Sequence, residues 1–238
     1  MKTTTHKANT RGHADHGWLK SYHSFSFASY QNPERNNFGM LRVLNDDIVQ
    51  PKMGFGTHPH QNMEIISIPL KGALSHKDNM GNKRAIEVDE VQVMSAGTGL
   101  THSEFNDSKT DEVNFLQLWI IPEEMSVKPN YEQRRFPIEG KKNQLQTVVA
   151  PKDKLVDDAL PISQQAYIYR SNLDANQSLD LNLKSEQNGL YIFVVEGEIE
   201  VGAHSLSKRD AIGISEIDAI SIHSTNNSEL IIIEVPMS

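Results

Sequence analysis

The histidines best placed to hold a metal ion lie in two short segments of the first half of the chain. His58 and His60 form one pair, and His102 and Glu104 form another. Side chains two residues apart on a β-strand share a face, so each pair can aim two donor atoms at one point. Two such pairs on facing strands would make a site of three imidazoles and one carboxylate. That set suits Fe(II), Mn(II), Co(II), Ni(II), Cu(II) or Zn(II), and an octahedral ion would keep two positions for oxygen or a substrate.

Paired glycines precede both motifs. Gly54 and Gly56 come before the first pair, and Gly97 and Gly99 come before the second. Glycine tolerates bends and close backbone approach where β-branched side chains would clash. We therefore expect these glycines to shape the backbone around the predicted metal site.

Further polar residues near the two motifs allow predictions of their own. Glu64 follows His58 by six residues and, counted by strand alternation, shares its face, so it is predicted either to orient a ligand imidazole or to be an ordinary strand-edge acid. His76 is predicted to hydrogen-bond within a turn-rich hairpin. Three histidines near Trp18 are interpreted as the border of a pocket entrance or, alternatively, as a second metal site: His13, His16 and His23.

The composition excludes several classes of function. The 238 residues contain no cysteine, which rules out disulfides, thiolate nucleophiles, iron–sulfur clusters and Cys-type zinc sites. With 31 acidic and 23 basic side chains the formal charge is −8, and without a long basic block direct nucleic-acid binding is disfavoured. The first residues do not resemble a secretory signal, and no apolar run has the length of a membrane span. We expect a cytoplasmic protein that is a monomer and does not bind membranes.

The elements that must position these residues are β-strands. Short apolar segments bounded by Gly, Pro, Asn and Asp recur along the chain, and long helical periodicity is absent, which indicates an all-β fold. Alternation is clearest at Leu179, Leu181 and Leu183, which predicts a half-buried strand. Four segments are apolar on both faces and are predicted to be strands between layers: 65–70, 115–121, 190–195 and 230–235.

The two halves of the chain echo each other weakly. An apolar run ends at Gly72, 30 residues before His102, and another ends at Gly197, 26 residues before His223. Two similar β units are the simplest interpretation. We place the boundary near Pro137, which predicts an N-terminal unit at 1–137 with the metal site and a C-terminal unit at 138–238.

The two histidine segments resemble the paired motifs of the cupin superfamily. More specifically, the chain resembles the pirin family of bicupins, and in particular the bacterial pirin-like proteins that act as quercetin 2,3-dioxygenases. The similar stretches are Asp15-His16-Gly17-Trp18-Leu19, His23-Ser24-Phe25-Ser26-Phe27-Ala28, His58-Pro59-His60, Met94-Ser95-Ala96-Gly97-Thr98-Gly99, His102-Ser103-Glu104 and Tyr131-Glu132-Gln133-Arg134-Arg135-Phe136. The resemblance implies two tandem cupin, jelly-roll-like β-barrels.

The resemblance also implies which residues bind the metal. The family's four ligands fall on His58, His60, His102 and Glu104 without substitution. In the second half, Leu183 and Ser185 stand at the spacing of the first pair, so that barrel is expected to be degenerate and without a metal site. Fe(II) is the ion that we expect first.

The activity implied by the resemblance is the opening of a flavonol ring with loss of carbon monoxide, with Glu104 accepting the proton of the 3-hydroxyl group. Two alternatives are a metal-binding regulatory protein of the pirin type that acts on a protein partner, and a cupin enzyme for another small metabolite. Five aromatic residues are candidates for a flat substrate pocket, although such residues are common in strand cores. They are Phe25, Phe27, Phe55, Phe105 and Trp119.

Overall fold

Strands form almost the whole molecule, as the alternating sequence predicts. The computed structural model describes residues 1–238. The strands of the first part of the chain are β1 (Lys2–His6), β2 (Gly12–Asp15), β3 (Leu19–His23), β4 (Leu41–Val49), β5 (Gly54–His60), β6 (Glu64–Lys71), β7 (Ala73–Asp78), β8 (Lys83–Glu87), β9 (Glu90–Ser95), β10 (Leu100–Phe105), β11 (Val113–Ile120) and β12 (Asn130–Arg135).

The second part of the chain continues in the same way. Its strands are β13 (Gln146–Pro151), β14 (Leu160–Ile162), β15 (Tyr167–Leu173), β16 (Ser178–Asn182), β17 (Asn188–Glu196), β18 (Glu198–Val201), β19 (His204–Ser207), β20 (Ala211–Ser215), β21 (Ala219–Ser224) and β22 (Ser228–Pro236). The helices are two 3₁₀ turns, Ala8–Thr10 and Ile138–Lys141. Neither of them has the length or the apolar character needed to cross a membrane.

The strands form two barrels, each built from a large and a small sheet. The N-terminal barrel pairs a seven-stranded sheet of order β12-β9-β6-β11-β4-β3-β2 with a four-stranded sheet of order β5-β10-β7-β8. The C-terminal barrel pairs a seven-stranded sheet of order β1-β20-β17-β22-β15-β13-β14 with a four-stranded sheet of order β16-β21-β18-β19. The prediction of an all-β protein with two similar units is confirmed.

The two large sheets pack against each other. Between them lies a hydrophobic cluster of 24 buried residues, which includes Ile66 and Leu118 from the N-terminal barrel and Phe193 and Ile233 from the C-terminal barrel. The alternate residues of the same strands face the inside of their own barrel. Strands β6, β17 and β22 are therefore buried on both faces, which confirms the prediction made from their continuous apolar runs, whereas β11 is only half-buried on the face that lines the cavity.

The first strand does not follow the predicted boundary. β1 pairs antiparallel with β20, with Thr4 opposite Gly213, so residues 2–6 belong to the C-terminal barrel. The prediction that all of 1–137 forms the N-terminal unit is wrong for this strand, because β20 offers a free sheet edge that the crossing strand covers. Charged pairs also join the barrels, since Asp89 lies 3.2 Å from both Lys141 and the buried Arg170.

Candidate metal centre

Strand register brings the two predicted ligand pairs together. β5 and β10 run antiparallel with His102 opposite His58 and Leu100 opposite His60. Beyond His102 the register shifts, so that Glu104 stands opposite Phe55. Such a bulge adds a residue to one strand and re-aims the side chains beside it. Two distant segments of sequence thus meet at one point of the small sheet.

Three imidazoles converge there. The ring centroids of His58 and His102 are 4.5 Å apart, and that of His60 lies 4.9 Å from each of the other two. One ligand atom from each ring lies within 4.8 Å of the others. The structure therefore groups the three histidines as the spacing predicts, and this arrangement is one that can chelate a single ion.

The hydrogen bonds of these rings fit a metal site. His58 Nδ1 lies 2.8 Å from the carbonyl oxygen of Gly56, so Nδ1 donates and Nε2 is left with its lone pair free. His102 is 1% exposed, yet neither of its ring nitrogens has a hydrogen-bond partner. Buried polar atoms are almost always partnered, so the nitrogens of this ring are available to an ion.

The electrostatics keep the imidazoles of His60 and His102 neutral. Burial, followed by the neighbouring His58, His60 and His76, lowers the pKa of His102 to about 2. Burial and the neighbouring His58 lower the pKa of His60 to about 4. A neutral imidazole is the form that binds a metal, so these rings need not lose a proton to bind one near neutral pH.

Glu104 groups with only one of the three predicted histidine ligands. Its Oε1 accepts a hydrogen bond of 3.2 Å from Ser67 and its Oε2 accepts one of 2.8 Å from Gln117. Burial raises its pKa, and these hydrogen bonds act in the opposite direction. Its ligand atom groups within 4.8 Å of those of His102 and His76, and the group of three histidines does not include it. Its role as the fourth ligand stays a prediction.

The sequence reasoning missed three residues around this carboxylate. Ser67 and Gln117 stand opposite each other on β6 and β11, and neither belongs to a recognisable motif. His76 does lie in a hairpin and its Nε2 is 3.1 Å from Asp78, but it is 1% exposed and lies opposite Glu104 in β10. The pattern His76-Lys77-Asp78 repeats the spacing of His102-Ser103-Glu104. This repetition could have predicted that His76 and Asp78 face the interior of the barrel.

Glu64 does not contact the centre. It accepts a hydrogen bond of 2.6 Å from Ser95, and neighbouring even-numbered residues of β6, such as Ile66, face the other barrel. The hypothesis that Glu64 orients a ligand imidazole is wrong, because the chain turns between β5 and β6 and strand alternation cannot be counted across that turn. Asn62, with φ of 49°, lies in the turn.

Two of the four glycines stand where the backbone of another segment approaches too closely for a side chain. A Cβ on Gly54 would come 2.2 Å from the carbonyl oxygen of Glu104, where β5 and β10 approach closely. Gly97 has φ of 46°, and its Cβ would lie 2.0 Å from the carbonyl oxygen of Val127. A Cβ on Gly56 would meet nothing. The prediction of close backbone approach therefore holds for one glycine of each pair.

A cavity of about 600 Å³ opens beside the histidines. His58, His60 and Glu104 line it. Of the five aromatic candidates three line the cavity, namely Phe27, Phe55 and Trp119. The other two do not: Phe25 lies in the core between the barrels, and Phe105 is 38% exposed on the outside. Trp18 is an additional aromatic wall residue.

The N-terminal histidine cluster borders the same cavity. His16 and His23 line it, whereas His13 stacks on Tyr22 at a centroid distance of 4.8 Å. These three residues do not come together as a group of potential metal ligands. The structure therefore favours the interpretation as a pocket border.

Comparison with known proteins identifies both barrels. Residues 4–120 match the Pirin family, and residues 147–235 match the quercetinase C-terminal cupin domain. The all-β fold is thus a bicupin. A quercetin 2,3-dioxygenase of Escherichia coli is 42% identical over 231 residues, which cover 97% of each chain. A pirin-like protein of Caulobacter vibrioides is 38% identical over 223 residues, which cover 94% of this chain and 95% of the relative.

A solved structure shows the same architecture. The structure of a bacterial pirin from Escherichia coli in complex with nickel(II) has a TM-score of 0.93 and 40% identity, and the match covers 100% of both chains. The similarity in sequence and in structure extends over both barrels. This chain belongs to the pirin family.

Proposed function

We propose that this protein is a metal-dependent dioxygenase that opens the flavonol ring of quercetin-like substrates with loss of carbon monoxide. The observation that carries the proposal is the convergence of His58, His60 and His102 beside an aromatic-lined cavity of about 600 Å³. That volume is in the usual range for small-molecule sites. The 42% identity to a quercetin 2,3-dioxygenase supports the substrate class.

His58, His60, His102 and Glu104 would hold the ion. Nitrogen and oxygen donors suit a divalent transition metal, with Fe(II) our first expectation and Mn(II), Co(II), Ni(II), Cu(II) or Zn(II) also compatible. The nickel(II) complex of a relative supports an ion of this class. When bound, the ion supplies open coordination positions and lowers the pKa of a hydroxyl group attached to it.

Glu104 is the proposed proton acceptor. Its carboxylate takes the proton of the flavonol 3-hydroxyl group, and burial, which raises its pKa, makes that transfer more favourable. Ser67 and Gln117 hold one oxygen each, so the carboxylate keeps its orientation. In the overall reaction both atoms of dioxygen enter the product, and one ring carbon leaves as carbon monoxide.

The aromatic walls match a flat guest. Phe27 and Trp119 meet edge to face with centroids 5.5 Å apart, and Trp18 and Phe55 do so at 5.3 Å. Trp119 also contacts His60, with a centroid distance of 5.0 Å. A planar aromatic substrate can pack on these rings while its oxygen atoms reach the histidines.

The test is reconstitution of the metal-free protein with Fe(II), Mn(II), Co(II), Ni(II), Cu(II) or Zn(II), followed by quercetin in air. We expect loss of the visible absorbance of quercetin together with carbon monoxide release, for at least one ion. Glu104→Gln should lose turnover even at metal concentrations that keep its site loaded, because a glutamine amide cannot accept the proton.

The matched control is His223→Ala, which removes a histidine from the C-terminal barrel and should keep full turnover. Full activity of Glu104→Gln would exclude the base role. Failure of every ion to support oxygen-dependent turnover would overturn the proposal. That result would favour a regulatory metal-binding protein, or an enzyme for another metabolite.

A further inference from the structure

A second polar wall faces the same cavity on the large sheet. β3 and β4 pair with Ser21 opposite Asp47 and His23 opposite Asn45. All four side chains lie on one face, since alternate residues of a strand share a face, and all four line the cavity. Each is at most 3% exposed. The proposed metal ligands belong to other strands, so this wall is a separate feature of the cavity.

Strand register connects this wall to the partners of Glu104. Gln117 stands opposite Asn45, and Asn45 stands opposite His23. Adjacent strands are about 4.8 Å apart, so His23 lies about 10 Å across the sheet from Gln117. An extended planar guest with one end at the histidines of β5 and β10 therefore has its other end within reach of the wall.

The wall has hydrogen-bonding capacity that the protein leaves unused. Ser21 donates its single proton to Asp47 Oδ1, so the contact of 2.7 Å between Ser21 Oγ and His23 Nε2 requires His23 to donate. His23 Nδ1 is then an acceptor, and it has no partner in the protein. Asn45 Oδ1 has none either. Buried polar atoms without partners are costly, so this wall is suited to a guest that supplies hydrogen atoms.

The charges decide which guest groups fit. The guanidinium groups of Arg11 and Arg209 lie 3.5 and 3.4 Å from Asp46, whose carboxylate they neutralise. Ser21 is the only side chain that donates a hydrogen bond to the Asp47 carboxylate, since Asn114 donates to the backbone oxygen of Asp47. Burial raises the pKa of Asp47 to about 7, so this carboxyl group is only partly ionised near neutral pH. A neutral phenolic hydroxyl group would donate to His23 Nδ1 or Asn45 Oδ1, whereas a carboxylate on the guest has no hydrogen to donate to them.

We propose that Ser21, His23, Asn45 and Asp47 form a hydroxyl-recognition subsite, which selects flat aromatic substrates with a phenolic hydroxyl on an outer ring. The inference rests on the proposed function and specifies its substrate class further. The subsite discriminates between flavonols that present the same 3-hydroxyl and 4-ketone oxygens to the metal and differ in the hydroxyl groups of their outer rings.

Intrinsic fluorescence can test this directly. The chain has two tryptophans, Trp18 and Trp119, and both line the cavity, so their quenching reports binding there. The protein is loaded with Ni(II) and titrated without oxygen, once with quercetin and once with 3-hydroxyflavone, which lacks all outer-ring hydroxyl groups. We expect quercetin to bind about tenfold more tightly, a ratio in line with the partnering of a buried acceptor that is otherwise unsatisfied.

Asp47→Asn is the main variant. It should weaken quercetin binding about tenfold and 3-hydroxyflavone binding less than about twofold. The fold should tolerate this substitution, because asparagine has nearly the same shape as aspartate and the change removes a buried carboxylate. Ser21→Ala is a second variant, which should also reduce the ratio of the quercetin affinity to the 3-hydroxyflavone affinity. It removes the hydroxyl group that links Asp47 to His23 by hydrogen bonds. Asp180→Asn, which removes the same charge from an exposed position on β16, should change neither affinity.

Equal weakening of both flavonols by Asp47→Asn, or an unchanged ratio in both variants, would overturn the subsite. Metal content and the thermal melting temperature of each variant are measured in parallel, which separates loss of recognition from loss of structure. The outcome is independent of turnover. A protein that binds with the expected ratio but does not consume quercetin would refute the proposed reaction and leave the subsite standing.

Discussion

The two barrels share an architecture but differ in what fills them. Inside the C-terminal barrel, 18 buried hydrophobic residues form one continuous cluster. Inside the N-terminal barrel the hydrophobic residues form two separate clusters of six and four. The remaining space there is taken by the cavity and by buried polar residues such as His102, Glu104 and Asp47. The interior of the C-terminal barrel is a hydrophobic core, whereas the interior of the N-terminal barrel contains the candidate site.

Corresponding strands show how the difference arises. On β10 the inward-facing residues are His102 and Glu104, whereas on β21 Ile222 faces inward and belongs to the hydrophobic cluster. His223 points away from that interior and lies 3.1 Å from Ser178. The residues at a few inward-facing positions therefore decide whether a barrel of this architecture contains potential metal ligands. The filled barrel and the shared 24-residue core supply burial that offsets the cost of unpartnered polar groups in the other.

The largest effect is expected when one inward imidazole is removed. His102→Ala should lower metal affinity more than about a hundredfold, because it takes away one ligand of a small set at the centre of the cluster. The metal content of the purified protein, measured by elemental analysis, should fall from about one equivalent per chain to a small fraction.

His223→Ala is the corresponding change in the other barrel and should leave the metal content as it is. Equal metal content in both variants would show that the three imidazoles do not bind the ion. The two barrels would then not differ in metal binding as expected.

The next effect concerns stability. Ile232→Ala removes a fully buried side chain from the 18-residue cluster and should cost about 3 kcal/mol of unfolding free energy. Phe55→Ala, in the half-buried wall of the cavity, should cost about 1 kcal/mol, because that ring already borders open space. Urea unfolding of the metal-free variants measures both. A larger loss for Phe55→Ala would mean that the cavity wall is packed as tightly as the core.

The alternation of apolar and polar residues in the sequence predicted several features of the two barrels. Strand parity placed His58 with His60, and the apolar runs of β6, β17 and β22 predicted strands buried on both faces. Those features depend on neighbouring residues of one strand. In the C-terminal half, Leu183 stands at the spacing of the first ligand pair and packs against the hydrophobic cluster. The absence of a metal site from that barrel stays a prediction.

The features that sequence missed depend on contacts between strands. The grouping of Ser21 with Asp47 requires the register of β3 and β4, and Glu64 was misplaced because parity was counted across a turn. No local pattern shows that β1 crosses to the other barrel, because a free edge exists only after β20 has folded. The cytoplasmic location, the monomeric state and the absence of nucleic-acid binding stay predictions.

A pH-dependent effect is expected at Glu64, in the face shared by the barrels. Burial raises its pKa from 4.5 to about 7, against the hydrogen bond from Ser95. The pKa of Glu64 is higher in the folded protein than in the unfolded chain, so protonation of this carboxyl group stabilises the fold. This stabilisation is fully present below pH 4.5 and is lost as the pH rises through 7. Glu64→Gln should therefore be more stable than the parent by about 3 kcal/mol at pH 8 and equal to it at pH 4.

Glu234→Gln is the contrasting variant in the C-terminal barrel. The Glu234 carboxylate accepts hydrogen bonds from Tyr169, Asn188 and the backbone N–H of Lys184, so the loss of its charge should destabilise the protein at pH 8. Thermal unfolding at both pH values measures the two variants. Opposite signs at pH 8 are expected, and equal signs would show that the hydrogen bonds around the two carboxylates do not distinguish them.

The smallest effect separates two buried serines that face the interiors of the two barrels. Ser67 donates to the Glu104 carboxylate, whereas the Oγ of Ser171 on β15 has no partner. Ser67→Ala should weaken metal binding about tenfold, because Glu104 loses one of the two donors that hold it. Ser171→Ala should leave metal binding unchanged and stability equal or slightly higher. Competition with a chromophoric chelator measures both affinities, and an unchanged affinity in Ser67→Ala would show that Glu104 does not need this serine to act at the centre.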